Sequence, residues 1–377
     1  MLYVYTVVPQ TLPRKHRFSQ STAPGLQAVP DAHGLGIHER RQNIRRTSSR
    51  SQPQYGTLTI PRGKASAGFA VIMFMKTSVL LALAIVSVLH AEEQFPNLAS
   101  KSTLPHGPGF AAKFKADAGI AAHAAVVFAD DFEEGELGAR WDEKGAGKGK
   151  ALSFAPPENP AGGKRCMKVE ARLGENQGDG LTKWFTPADT EFVRFYVRFD
   201  AGCDYVHHFV TLRANRGLRG GDKWSGFGGA GLRPAGDERF STALEPWGNW
   251  AKWPAPGRWN FYSYWHGMTA SRDGKFWGNQ FLPEPQENIA RGRWICAELM
   301  LRHNTPGRPD GEQAMWIDGR LLGHWRGINW RKTGSLQANA LTLESYVTDR
   351  WTKNPVNTVF FDNLVIAREY IGPAGGP

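Results

Sequence analysis

Residues 293–330 read RWICAELMLRHNTPGRPDGEQAMWIDGRLLGHWRGINW, and this stretch decides the fold class. Two strand-like runs flank a Pro/Gly turn, and an Asp-Gly turn closes the second. In the first run Ile295, Ala297, Leu299 and Leu301 fall on one parity, while Cys296, Glu298, Met300 and Arg302 fall on the other. Successive strand side chains point to opposite faces, so the first set belongs to a core and the second to whatever the sheet presents outward.

Working outward, the chain from Val126 is a series of short β-type runs separated by Gly, Pro and Asp, with almost no helical period. The expected strands are 126–132, 165–172, 180–185, 191–200, 207–215, 240–244, 259–268, 293–304, 312–317, 320–325, 336–348 and 357–369. That pattern predicts an all-β, two-sheet antiparallel β-sandwich over residues 126–373, with no internal repeat. Residues 92–125 are Ala/Gly/Pro-rich and read as a linker.

The formal charge of +11 is unevenly placed. Residues 1–74 hold ten Lys/Arg against only Asp31 and Glu39, whereas the chain from Glu92 onward is nearly neutral. The main domain therefore has no basic concentration of the kind nucleic-acid binding needs. Met75-Lys76, the apolar run Val79 to Leu89 and Ala91 read as a secretory signal over residues 73–91. A longer apolar reading from Gly68 to Leu89 would act as an anchor, but the run itself is short for a span, so no stable membrane span is expected once the signal is removed. A signal belongs at a chain start, so translation is expected to begin at Met73 or Met75, with the basic 1–72 an upstream mis-call. The protein is then secreted or periplasmic. Cys166, Cys203 and Cys296 allow one disulfide and one thiol and make no metal pattern.

Parity in the other strands gives a consistent outward set. In 192–199 the core residues are Val193, Phe195, Val197 and Phe199, leaving Phe192, Arg194, Tyr196 and Arg198. In 207–213 His208, Val210 and Leu212 are core, leaving His207, Phe209, Thr211 and Arg213. In 259–266 Asn260, Tyr262, Tyr264 and His266 are outward, and in 341–347 so are Thr342, Glu344 and Tyr346. An ordinary solvated face is rich in Lys, Glu, Ser and Thr; this one is rich in Tyr, His and Arg.

Such a face suits an acidic polysaccharide. Elimination at a uronic acid needs a cation or strong donor for the carboxylate, a base for the C5 proton and an acid for the leaving oxygen. Arg213 or Arg302 meets the first need with its planar fork. His207 or His266, with Tyr262 and Tyr264, meets the others. Arg194, Tyr196, Glu298 and Glu344 are expected to bind substrate. Two long loops add Trp224 and Phe227 in the Gly-rich 217–237, and Trp247, Trp250 and Trp253 in PWGNWAKWPAPG (246–257). Trp247 and Trp250 are candidate stacking platforms for sugar rings; the alternative is that these tryptophans plug the end of the sandwich. Non-catalytic carbohydrate binding by the same residues is the first alternative to elimination. Hydrolysis is the second: it needs two carboxylates flanking the bond, and Glu298 and Glu344 come from different strands, but no E-x-D-x-x-E spacing occurs. G-x-S-x-G, H-E-x-x-H and a Walker loop are absent. Asp131 and Glu133 in the first strand and Asp362 in the last form a hard-oxygen set of the kind Ca²⁺ prefers, with turn capping as the alternative.

The run YVHHFVTLRANR (205–216), RFSTALEPWGNW (239–250), FYSYWHGM (261–268), RWICAELMLRHNTPG (293–307), DGEQAMWIDG (310–319) and FFDNLVIAREYIGP (360–373), with Asp131-Phe132-Glu133, resembles a secreted bacterial group. That group is related to the concanavalin A-like polysaccharide lyases of the alginate and glucuronan lyase type. The resemblance covers about 126–373 and implies a jelly roll, chemistry by Tyr, His, Lys and Arg on the concave sheet, and a structural calcium ion. The arginine, glutamine-isoleucine-histidine and tyrosine-lysine motifs of the best-known alginate lyases are missing.

Overall fold

The computed structural model describes residues 95–157 and 162–376; the readings for 1–94, including the basic extension, the start site and the signal, lie outside them. Fifteen strands run through the described chain: β1 (Val126–Asp130), β2 (Glu143–Lys144), β3 (Leu152–Ala155), β4 (Cys166–Arg172), β5 (Gly178–Trp184), β6 (Thr190–Phe199), β7 (Val210–Asn215), β8 (Arg239–Trp247), β9 (Arg258–Tyr264), β10 (Asn279–Phe281), β11 (Trp294–Arg302), β12 (Gly311–Ile317), β13 (Arg320–Ile328), β14 (Gln337–Tyr346) and β15 (Val356–Ala367). They form two antiparallel sheets. One is ordered β13-β12-β11-β6-β15-β4-β3 with β1 added on β15, and the other β10-β9-β8-β7-β14-β5-β2. The chain repeatedly crosses between sheets, as in β5 to β6 to β7 and β13 to β14 to β15, which gives the expected all-β jelly-roll sandwich.

The parity of β6 and β11 sets the core. Val193, Phe195, Val197, Phe199, Ile295, Ala297, Leu299 and Leu301 pack with Leu212, Leu244, Phe261, Leu341 and Leu343 of the facing sheet in one buried cluster. Each large side chain so buried contributes about 1.5–3 kcal/mol. Among the described residues no helix is long and apolar enough to cross a membrane.

Three expectations change. Residues 95–125 do not form a loose linker: Phe110, Ala111 and Ile120 are buried with Met300, Ala314 and Trp316 on the outer face of the eight-stranded sheet. The C-terminal tail covers the same face, with Tyr370 and Ile371 in that cluster. All three cysteines are buried and no disulfide joins them, so the bridge that their number allows is not formed. Finally, β8 continues through Pro246 to Trp247 instead of ending at Leu244. By Pro246 it has outrun β7, whose last partner is Leu244 opposite Val210, so the missing proline N–H costs no ladder bond on that side.

Candidate functional site

The two outer faces have opposite fates. On the eight-stranded sheet Arg194 is 0 % exposed and donates from Nη2 to Asp117 Oδ2 at 2.6 Å. Glu298, 2 % exposed, accepts the backbone N–H groups of Ile371 at 2.9 Å and Gly372 at 2.8 Å. The Tyr196 hydroxyl accepts the Ala374 N–H at 3.0 Å. These three expected substrate-binding residues therefore hold the chain's own 95–125 segment and C-terminal tail. Arg302, on the same sheet, is half in solvent and reaches Glu312 at 3.2 Å. None of the four faces the other sheet's outer surface.

The outer face of the seven-stranded sheet carries the other expected residues. Cross-strand pairing places Arg213 beside Ser241, Thr211 beside Ala243 and Thr342, Ser241 beside Tyr264, Ala243 beside Tyr262, and Glu245 beside Asn260. The hydroxyls of Tyr262 and Tyr264 lie 3.3 Å apart. Arg213 donates from Nε to Thr342 Oγ1 at 3.3 Å, and its Nη2 lies 3.7 Å from Glu344 Oε1. Tyr262, Tyr264, Arg213 and Glu344 are thus brought to one face, as expected.

At one end His207 and His208 stand exposed with ring centroids 4.5 Å apart, and both rings lie beside Tyr346, at 5.8 and 5.5 Å. Strand parity fails here because regular pairing begins only at Val210: His208, expected in the core, faces solvent, and Phe209, expected outward, is buried against Phe199 at 5.5 Å. His266 lies past the end of β9. Its ring packs against Gly236, and Lys332 and Arg233 are the cations near it. It does not extend the tyrosine row as its spacing predicts.

Trp247 and Trp250 pack edge to face at 5.3 Å at the histidine end. Trp247 continues the outward parity of β8, and Trp250 is 60 % exposed.

Glu245 and Asn260 are residues that the sequence reading missed as site candidates. Glu245 is 6 % exposed and its Oε2 has no partner; Asn260 is fully buried and neither its oxygen nor its nitrogen has one. Burial, and then the nearby Glu344 charge, lift the Glu245 carboxyl well above its ordinary range, so it holds its proton. Burial also raises Glu344, against the pull of Arg213. The Tyr262 and Tyr264 phenols are raised by burial, Tyr262 also by its partner's nearness. Protein crowded around the rings lowers His207 and His208 although each still meets solvent, with the Arg350 charge adding for His207 and the His207 and Arg213 charges for His208. The face thus presents a protonated Glu245, protonated phenols and neutral imidazoles around the Arg213–Glu344 pair.

No known family matches this chain, and no curated protein does. Solved structures do. An alginate lyase from Aplysia kurodai is 12 % identical over 64 % of this chain and 99 % of its own, with a TM-score of 0.49. An alginate lyase from Chlorella virus is 15 % identical over 65 % and 100 %, with a TM-score of 0.48. An endo-β-1,4-glucuronan lyase from Trichoderma reesei is 15 % identical over 64 % and 95 %, with a TM-score of 0.42.

The calcium set expected at Asp131, Glu133 and Asp362 does not converge. Glu133 Oε1 accepts the N–H groups of Lys164 and Arg165, Asp131 Oδ1 accepts that of Glu133, and Asp362 Oδ1 that of Asn363. Among the described residues no three acidic, His or Cys side chains are grouped to hold a metal ion. These residues fit turn and loop fastening better than they fit an ion.

Proposed function

We propose that this protein is a polysaccharide lyase that cleaves a uronate-containing chain by β-elimination on the outer face of the seven-stranded sheet. The observation that carries the reading is the Glu245–Asn260 pair. A buried carboxyl and a buried amide left without partners beneath the outward side chains of this face are costly, at about 1–3 kcal/mol per unsatisfied group. A ligand carboxylate supplies what they lack: the protonated Glu245 and the Asn260 amide donate to it and stabilise the enolate-like charge that develops when the C5 proton leaves.

The remaining steps follow from protonation state. A neutral imidazole of His207 or His208 takes the C5 proton, and the electron pair forms the C4–C5 double bond. The C4–O bond breaks, and the departing oxygen takes a proton from Tyr262 or Tyr264, whose raised pKa keeps that proton available. The pairing order places Glu245 and Asn260 between the imidazoles at the start of β7 and the phenols of β9. Arg213, steered by Glu344 and Thr342, binds a further anionic group.

One observation favours a second reading. Glu245 and Glu344 flank the position on β7 where Phe209 turns into the core, and two carboxyls across one strand suit glycoside hydrolysis. Incubation with alginate, glucuronan and a glycosaminoglycan separates the readings, because elimination alone creates an ultraviolet-absorbing unsaturated end. Absorbance growth on a uronate is the expected result. New reducing ends without it would establish hydrolysis, and tight binding without either product would reduce the face to a binding site.

A further inference from the structure

The face carries a second set of aromatic side chains, at the corner diagonal to Trp250. Trp184 ends the outward row of β5 and packs against Trp224 at 4.8 Å and Phe227 at 5.7 Å. Trp224 belongs to the Gly-rich loop and is 42 % exposed. Phe227 in turn lies under the Arg213 guanidinium at 4.9 Å, which ties this cluster to the floor. At the opposite corner Trp250 stands on Trp247, which shares the outward parity of Glu245.

Both corners combine an exposed indole with a cation. Lys223 lies over Trp184 at 4.7 Å and over Trp224 at 4.8 Å, and also reaches Glu143 at 3.1 Å. Lys252 lies over Trp250 at 5.9 Å. Indole face plus ammonium complements a sugar ring that bears a carboxylate: the ring's apolar face stacks and its charge is met beside it.

We infer that Trp224 and Trp250 are the two end platforms of one extended binding track that takes about five sugar units of an anionic polysaccharide. The length follows from pairing. Trp184 is level with Ala340, Arg213 and Ser241 across β5, β14, β7 and β8. From Ser241 to Trp247 is six residues along β8; at ~3.3 Å per residue, and with three strand spacings of ~4.8 Å, the diagonal is roughly 25 Å, or about five pyranose units. Glu245 lies between the ends on β8, with Asn260 beside it on the next strand, β9. The inference rests on the proposed polysaccharide reading but not on its chemistry, since binding is measured apart from turnover.

The test is calorimetric binding of oligoglucuronates and oligomannuronates of two to eight units to the full chain and to its Trp224→Ala and Trp250→Ala variants, with neutral cello-oligosaccharides beside them. Both indoles are exposed, so folding is checked by near-ultraviolet circular dichroism and not expected to change. Affinity should rise with length up to about five units, and each variant should lose about three- to tenfold for the hexamer and nothing for the dimer. Equal binding of the hexamer by all three proteins, or equal losses for dimer and hexamer, overturns the track, as does an absence of length dependence with every oligomer. The same length and tryptophan dependence for cello-oligosaccharides alone upholds the two platforms and overturns the anionic class, and with it the uronate reading above.

Discussion

Replacing Glu245 by Gln separates a neutral hydrogen-bond donor from a proton-transferring acid. Glu245 is buried, has an unpartnered Oε2 and keeps its proton far above the ordinary carboxylate range, first because of burial and then because of Glu344. A glutamine has nearly the same shape and still donates one hydrogen bond, so it reproduces the protonated acid. If Glu245 serves only to bind the substrate carboxylate, the Gln variant loses less than about tenfold in kcat/KM, whereas Ala, which removes the donor, loses about 10²–10³-fold. The pH profile carries the sign. The folded-state pKa is raised, so the active protonated form is present at low and neutral pH and is lost as pH rises through that pKa. Wild type therefore has an alkaline limb from Glu245 that the Gln variant lacks. The assay is the initial rate of absorbance growth on a uronate polymer across pH. A Gln variant as damaged as the Ala variant, or one that keeps the alkaline limb, refutes the role.

Tyr262→Phe and Tyr264→Phe, assayed singly, should lower turnover by about 10²–10⁴-fold for whichever phenol protonates the leaving oxygen, with an unchanged circular dichroism spectrum; full activity in both sinks the acid assignment. Arg302→Ala should leave turnover and stability alone, within about 0.5 kcal/mol by urea unfolding, because its side chain is solvated and remote from the site. Asp117→Ala strands the fully buried Arg194 and should cost about 3–5 kcal/mol by the same method. Glu298 has its pKa raised by burial to about 7 from an ordinary 4.5, so its contribution to stability is present below 4.5 and is lost as pH rises through about 7. Between about pH 5 and pH 8 that loss amounts to about 2–3 kcal/mol, and Glu298→Gln should remove this part of the slope in urea unfolding.

The division of β11 into core and outer faces was legible in its alternation, and Ile295, Ala297, Leu299 and Leu301 lie where the period puts them. Which outer face stays open was not, because a strand's period says nothing about what another segment lays over it. The cover on Arg194, Tyr196 and Glu298 comes from 95–125 and the C-terminal tail, distant in sequence and without strand pattern. Glu245 was hidden for a local reason: Pro246 reads as a strand end, and only the early end of β7 lets β8 run on. His208 and Phe209 were misassigned because period-2 logic holds only along a regular strand: His208 makes an isolated bridge to Tyr346, and regular pairing begins at Val210. The rows Tyr262–Tyr264 and Thr342–Glu344 lie inside long regular strands, and there the sequence placed every side chain on its observed face.

Glu298 and Glu245 show why one sheet is structural and the other is the candidate for function. Both are buried carboxyls on outward positions of central strands, and both are raised by burial. Glu298 receives two backbone N–H groups from its own chain, so its desolvation is offset within the fold and nothing further is required. Glu245 has a buried oxygen that receives none, and its cross-strand neighbour Asn260 has both polar atoms bare. Folding alone gives no reason to keep three such atoms together, since an apolar pair at the same positions would remove the cost. Retaining them makes sense where a bound molecule completes the hydrogen bonds; on the proposed reading that molecule is anionic, and the protonated Glu245, the Asn260 amide and Arg213 would meet its charge.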